Sequence, residues 1–297
     1  MLAVQFDRFG PPEVLFVGPF AEPHAGPGEV RVRVRAAGVS PVDLAIRAGK
    51  SSMAAVLPHV PGVDAAGVVD EVGEGVTGVR IGDEVFGSVD VKRLGGATAE
   101  FAVLAFWAAK PAALPWEQAG AGGTSIETAT RALDLLDVRP GSTLLIDGAA
   151  GGVGSVAVQL AGARGARVIG TARPESHEFL TGLGAIPCVR WNGEVDRALD
   201  VIGKGTLPEL VALTGDPARV VTLADFTGPE HGVRLSVGDF GGEPHGRHGL
   251  AAAAALADEG RFHVPVQAVF PWERAAEAHS APGPRQGKIA LTVTPPR

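Results

Sequence analysis

The chain has 297 residues, 26 basic against 33 acidic side chains for a formal net charge of −7, and 45% hydrophobic residues. That length predicts about two domains whose cores need neither metals nor disulfides. The acidic balance argues against a sequence-independent grip on nucleic acid phosphates, and Gly, Arg or Asp interrupts every apolar run well short of the roughly 18 to 20 residues of a membrane span, so a small-molecule partner is expected.

In chain order, the opening Met1–Gly10 carries Asp7 and Arg8 where a secretory signal would be apolar, which predicts a cytoplasmic protein. From Glu29 to Val39, Val30, Val32 and Val34 alternate with Arg31, Arg33 and Arg35. A period of two puts the valines on the buried face of an antiparallel strand and the arginines in solvent. Further short apolar runs at 67–72, 83–86 and 100–104, separated by glycine turns at 73–75 and 95–96, predict a small barrel or sandwich.

From about residue 117 the pattern changes. Apolar runs at 143–146, 167–170, 185–189, 198–202, 220–223 and 233–237 alternate with segments of helical spacing, such as Val153, Val156, Ala157 and Leu160. This alternation predicts a parallel sheet covered on both faces, with its ligand at the carboxyl ends of the strands. Beyond a helix-compatible alanine-rich stretch at 251–260, strand-like pieces at 265–270 and 288–293 flank a helical 272–279. This tail is expected to rejoin the first domain.

The segment Leu144-Leu145-Ile146-Asp147-Gly148-Ala149-Ala150-Gly151-Gly152-Val153-Gly154 runs from a strand through small residues into an amphipathic helix, the context a dinucleotide site needs. Helix N-termini present free N–H groups and partial positive charge, and glycines let a pyrophosphate come close. Ala150, Gly151, Gly152, Val153 and Gly154 are therefore expected to bind a cofactor. About 20 residues further on, an NAD site would place an acid on the ribose hydroxyls. Here the second strand ends Val168-Ile169-Gly170-Thr171-Ala172-Arg173, without one. Arg173 can instead neutralise a 2′-phosphate, with Thr171 beside it and His177 one helical turn on as a further donor. NADPH is expected rather than NADH. Later strand ends add Leu223, Ala224, Val237 and Gly238 as backbone contacts.

Together with Ala36-Ala37-Gly38-Val39-Ser40-Pro41-Val42-Asp43, Pro61-Gly62-Val63-Asp64-Ala65-Ala66-Gly67, Gly82-Asp83-Glu84-Val85-Phe86-Gly87 and Gly287-Lys288-Ile289, the loop resembles the medium-chain dehydrogenase/reductase superfamily, in its zinc-free, zeta-crystallin-like quinone oxidoreductase branch. The resemblance spans nearly the whole chain and implies an α/β protein. A GroES-like β-barrel catalytic domain would be built from residues 1–116 and 265–297, and a Rossmann doubly wound parallel-sheet domain at 117–264 would bind NADPH. Zinc-dependent members carry a Cys or similar ligand early in the chain, a Gly-His-Glu pair and a four-cysteine lobe. Here Ser40 occupies the early region, Gly62-Val63-Asp64 replaces Gly-His-Glu, and Cys188 is the single cysteine, so no metal is expected. His59 is read as structural, and His245 and His248 lack further ligands in sequence.

Without a Lewis acid, the resemblance implies hydride transfer from NADPH to an electron-poor acceptor, a quinone or an enone. In relatives a polar residue matching Ser40 contacts the acceptor, and a Thr matching Thr128, in Glu127-Thr128-Ala129, lies beside the nicotinamide. Charge developing on the acceptor oxygen needs a donor or a bound water. Ser40 and Thr128 are candidates, while Asp43 and Asp64 would have to be protonated to donate. Tyrosine is absent from the chain, which excludes a phenol in this role. Ala45 stands where some quinone reductases have tyrosine, which predicts a roomier pocket. Lys288 matches a basic residue that contacts the pyrophosphate in some relatives. The 233–237 strand, if at the sheet edge, is expected to pair with its copy in a homodimer, as relatives do. An enoyl reductase of a biosynthetic pathway and a non-catalytic NADPH-binding sensor or partner protein are the alternative readings.

Overall fold

The computed structural model describes residues 1–51, 55–93, 95–238, 245–281 and 286–294. Two compact units result: Met1–Thr124 with Leu250–Pro284 and Lys288–Arg297, and Ser125–Gly249 with Arg285–Gly287.

The chain opens with an antiparallel pair, β1 (Leu2–Gln5) and β2 (Phe16–Pro19). β3 (Val30–Val39), α1 (Pro41–Arg47), β4 (Asp64–Val72), β5 (Glu84–Ser88), β6 (Phe101–Leu104), β7 (Phe106–Ala109) and α2 (Trp116–Gly120) follow. α3 (Gly123–Leu135) begins in the first unit and continues in the second. There β8 (Thr143–Asp147), α4 (Gly152–Ala163), β9 (Arg167–Thr171), α5 (His177–Gly182), β10 (Ile186–Cys188), β11 (Arg197–Asp200), α6 (Leu207–Thr214), β12 (Val220–Thr222) and β13 (Arg234–Leu235) alternate strand with helix. α7 (Gly249–Asp258), β14 (Val266–Pro271), α8 (Ala275–Ser280) and β15 (Lys288–Thr292) complete the chain.

In the first unit, β3 is the spine of a sheet ordered β14-β15-β3-β4-β5-β7, and β6 also pairs with β3. Its valines face the core as the alternation predicts: Val30, Val32 and Val34 are fully buried and pack with Ala65, Val69, Leu104 and Leu291. Arg33 and Arg35 are exposed as expected, but Arg31 is not. Its guanidinium donates through Nε and Nη2 to the two carboxylate oxygens of Asp70 on the adjacent strand, at 3.0 and 3.1 Å. A bidentate cross-strand pair fixes the side chain against the sheet. β4 starts three residues ahead of the apolar run because Asp64, Ala65 and Ala66 pair with Ser88, Gly87 and Phe86. The tail strand β15 pairs antiparallel with β3, Ile289 lying opposite Val39. The 272–279 segment is a 3-10 turn, Trp272–Arg274, followed by α8.

In the second unit every strand pair is parallel and the order is β10-β9-β8-β11-β12-β13. Counted from β8 this is 3-2-1-4-5-6, the doubly wound order whose dinucleotide crevice lies at the carboxyl ends of the first and fourth strands. Leu144, Leu145 and Ile146 are buried in its centre, as a strand covered on both faces requires. β13 is the edge strand and holds only two residues; just beyond it the Ser236 N–H donates to the Thr222 carbonyl, and the Ser236 hydroxyl oxygen accepts from Arg131 of α3. The division between the units falls after Thr124 and after Gly249, where the sequence places it after 116 and 264. Thr124 belongs with the first unit because its N–H and hydroxyl both donate to Asp64. Among the described residues, no helix is long and apolar enough to cross a membrane.

Candidate active site

Three of the four expected catalytic residues meet in the first unit, joined by Lys288. Ser40 precedes α1, and its N–H donates to Asp43 Oδ2 at 2.8 Å while Pro41 occupies the first helical position. This arrangement satisfies a donor at the helix start and fixes where α1 begins. Asp43 Oδ1 accepts from the Gly62 N–H at 3.1 Å, tying α1 to the segment before β4. Asp64 opens β4 and accepts from Thr124, through the N–H at 2.6 Å and the hydroxyl at 2.7 Å. Lys288 opens β15; its Nζ donates to Ser40 Oγ at 2.7 Å and lies 3.5 Å from Asp64 Oδ2. Ser40, Asp43, Asp64 and Lys288 are only 6%, 1%, 0% and 4% exposed. Lys288, expected at a pyrophosphate, thus has its ammonium against Ser40 and Asp64. Ala45 is half-buried on α1.

Two carboxyl groups share this interior with one ammonium. Burial pushes Asp43 up from the usual carboxylate range to about 7, against the lowering effect of the Ser40 and Gly62 N–H groups. Burial raises Asp64 as well, opposed by Lys288 and Thr124. Because Asp43 holds its proton more tightly when folded, its contribution to stability is full below the unfolded value of 3.8 and is lost as pH rises through about 7. Denaturant midpoints measured between about pH 4 and 8 are therefore expected to fall with pH in part through this group, and Asp43→Asn should flatten that part of the slope. An unaltered slope in the variant would show that the group is ionised at no cost.

In the second unit the glycine loop links β8 to α4. Gly148 sits at φ +89°, the left-handed region that favours glycine, and a Cβ there would run into the Ile202 side chain. A Cβ on Gly154 would collide with the Gly148 carbonyl and the Ala149 backbone, so glycine is needed for α4 to pack against the loop. Gly151 differs. Its φ of −74° and ψ of −179° are extended backbone open to any residue, and a Cβ would meet no protein atom closer than the Gly148 carbonyl oxygen at 3.6 Å. The fold does not require glycine there, and the space beside it is open. Ala150 accepts from the Gly287 N–H at 2.9 Å, and the Gly152, Val153 and Gly154 N–H groups form the first turn of α4. Such groups lack intrahelical partners and favour an anion.

Arg173 lies two residues beyond β9 with its side chain 67% exposed; among the described residues its partner is Glu175, in a 3.6 Å ion pair. His177 turns Nε2 to the Ala172 carbonyl at 3.2 Å, so that nitrogen serves its own loop. The Thr171 hydroxyl donates to Asp147 Oδ1 and accepts from the Gly148 N–H. Leu223 and Ala224 follow β12, the first donating to the Asp200 carbonyl and the second to the Thr222 hydroxyl. Thr128 is in the second unit, its hydroxyl donating to Glu127 Oε2 at 3.2 Å. Gly238, at φ +65°, and Val237 follow Ser236, whose hydroxyl oxygen accepts from Arg131 Nη1.

Two residues at these strand ends, and Arg131 on α3, lie outside the residues expected from sequence. Asp147 accepts from Thr171 and Thr206 at the end of β8, and Asp200 accepts from the Ile202 and Gly203 N–H groups and the Thr222 hydroxyl at the end of β11. Arg131, 5% exposed, bonds Glu127 and Ser236. A carboxylate closing an apolar strand is the signal that was available for the first two. His59 packs its ring on Phe6, with centroids 5.3 Å apart, and His248 faces Asp134 at 3.2 Å. His245 is exposed.

Residues 26–114 match the profile of the alcohol dehydrogenase GroES-like domain, and residues 180–291 match that of the zinc-binding dehydrogenase. The human quinone oxidoreductase is 39% identical over 244 residues, 80% of this chain and 72% of that protein. The chain belongs to the medium-chain dehydrogenase/reductase superfamily, in its zeta-crystallin-like quinone oxidoreductase branch. The pig quinone oxidoreductase is 41% identical over 179 residues, 59% of this chain and 54% of that protein. The Arabidopsis thaliana NADPH-dependent alkenal/one oxidoreductase is 35% identical over 218 residues, 63% of this chain and 55% of that protein. Among solved structures, the quinone oxidoreductase from Coxiella burnetii superposes with a TM-score of 0.84 at 27% identity, covering 99% of each chain. Against these relatives the expected fold class holds: a GroES-like domain with an antiparallel sheet, and a Rossmann parallel sheet.

Proposed function

We propose that the protein is an NADPH-dependent oxidoreductase that transfers hydride, without zinc, to a quinone or an enone. The observation that carries this reading is the second unit's loop: an opening beside Gly151 that nothing in the fold demands, at the N-terminus of a twelve-residue helix, with an exposed arginine two residues past the neighbouring strand and no acid between the strand's end and that arginine. A diphosphate fits that opening and a 2′-phosphate suits the arginine. The names of the human and Arabidopsis relatives, a quinone oxidoreductase and an NADPH-dependent alkenal/one oxidoreductase, support the same acceptor classes.

Bound NADPH supplies a hydride, the hard chemistry of the reaction. The chain's part is to hold the diphosphate on the Gly152–Gly154 amides, to pair Arg173 with the 2′-phosphate, and to offer a donor to the oxygen that gains charge. Zinc does not fit the buried cluster. Its only ligands there would be Asp43, Asp64 and Ser40, and the Lys288 ammonium lies 2.7 Å from Ser40 Oγ and 3.5 Å from Asp64 Oδ2, where it would repel a second cation. The reading includes a homodimer that extends the parallel sheet through β13, supported by the edge position of that strand. Light scattering should give twice the chain mass.

Protein mixed with NADPH and a panel of quinones and enones is expected to oxidise the coenzyme. Silence across both classes would contradict the assignment. Arg173→Ala is expected to weaken NADPH about tenfold, equivalent to about 1.4 kcal/mol, and to leave NADH unchanged. A change below about threefold in titration calorimetry would mean that Arg173 does not touch the phosphate.

A further inference from the structure

The cluster around Ser40 has a hydrogen-bond polarity that assigns direction. An ammonium can only donate, so in the 2.7 Å contact with Lys288 Nζ the Ser40 oxygen must be the acceptor. The hydroxyl hydrogen of Ser40 is then left to be given elsewhere, and none of the described hydrogen bonds has Ser40 Oγ as its donor. The Ser40 N–H is already bonded to Asp43 and its hydroxyl oxygen to Lys288, so both the backbone and the oxygen are anchored. Behind Ser40, Lys288 is held by Asp64, whose own oxygens are fixed by Thr124. A buried ammonium behind a hydroxyl that still has a proton to give is an arrangement for passing a proton outward.

We propose that Ser40 and Lys288 form a proton relay, in which Ser40 Oγ protonates the oxygen left negative by hydride transfer and Lys288 reprotonates Ser40. The proposal rests on the reductase reading and adds the source of the proton. The balance is closed. Hydride from NADPH bonds to the acceptor and leaves NADP⁺, so the acceptor gains two electrons and its oxygen becomes anionic. The Ser40 O–H bond breaks as a new O–H bond forms on the acceptor. A Lys288 N–H bond breaks to restore the serine hydroxyl, and the neutral amine regains a proton from water after the products leave. Ser40 touches the acceptor in this scheme; Lys288 acts through it, and Asp64 keeps the ammonium in place. Burial raises Asp43 to about 7, so the same interior holds a second exchangeable proton near neutral pH.

The test uses Ser40→Ala, Lys288→Met and the double variant, with three readouts: NADPH affinity, turnover with an enone, and isotope effects. Both single variants are expected to lower kcat about a hundredfold or more, the scale of general-acid catalysis, with NADPH dissociation constants within about twofold of the parent. The double variant should be no slower than the worse single variant, because both residues serve one step. In the variants proton delivery becomes the slow step, so the solvent deuterium effect should rise and the effect of deuterium at nicotinamide C4 should shrink. A purely structural role would leave that pattern as in the parent. Ser40→Ala leaves the Lys288–Asp64 pair and the Asp43 contact intact, so it remains informative even if Lys288→Met folds poorly. The relay is overturned if Ser40→Ala keeps kcat within about threefold, or if Lys288→Met mainly weakens NADPH by about tenfold or more, which would return the lysine to the pyrophosphate. Parent protein that binds no NADPH would instead bring down the reductase reading itself, a result separable from failure of the relay.

Discussion

Gly151→Val is expected to raise the dissociation constant for NADPH at least about a hundredfold, roughly 2.7 kcal/mol, with only a small loss of thermal stability. The backbone of Gly151 is extended, at φ −74° and ψ −179°, and the nearest protein atom to an added Cβ is 3.6 Å away. The added Cβ therefore meets no steric obstacle in the folded chain, and the main local penalty is that of a poor helix N-cap, about 1 kcal/mol. What the isopropyl group does fill is the space in front of the first-turn amides of α4. Gly154→Val is the contrasting variant. Its Cβ would collide with the Gly148 carbonyl and Ala149, so both melting temperature and binding should drop. Calorimetry and thermal melts on the two proteins separate an opening kept for a ligand from a glycine kept for packing. A Gly151→Val protein that binds NADPH like the parent would place the diphosphate elsewhere.

The second large effect is expected at Asp64. Asp64→Ala leaves the buried Lys288 ammonium with Ser40 Oγ as its one described hydrogen-bond partner, and leaves the half-buried Thr124 N–H and hydroxyl without their acceptor. Breaking a buried pair by removing one partner typically costs about 3 to 5 kcal/mol, because the remaining charge stays uncompensated. The double variant Asp64→Ala/Lys288→Met should be more stable than Asp64→Ala alone, since it removes the stranded charge together with its partner. Urea unfolding of the parent, both single variants and the double variant measures this coupling. Additive losses would mean that the 3.5 Å contact carries no energetic weight.

The second unit is the more legible in sequence. Its central strands are continuous apolar runs because both faces of the sheet are covered, and the turn from β8 into α4 is written in consecutive residues, Gly148 to Gly154. Periodicity reports what lies along a strand and says nothing of what lies opposite. Arg31 was therefore assigned to solvent, although Asp70, 39 residues away, holds it in the sheet. Lys288 and Ser40 are 248 residues apart, and only the return of β15 onto β3 brings them within a hydrogen bond. The same limit hid Arg131, whose partner Ser236 lies 105 residues downstream. The family resemblance pointed to the motifs holding Ser40, Asp43 and Asp64, but their common burial and the ammonium between Ser40 and Asp64 required the three-dimensional arrangement.

The most direct test of the account is a calorimetric titration of the parent protein with NADPH and, separately, with NADH. Saturable heat with NADPH and at least about tenfold weaker binding of NADH is the result the open loop and Arg173 predict. No heat with either coenzyme, or equal affinity for both, would contradict it.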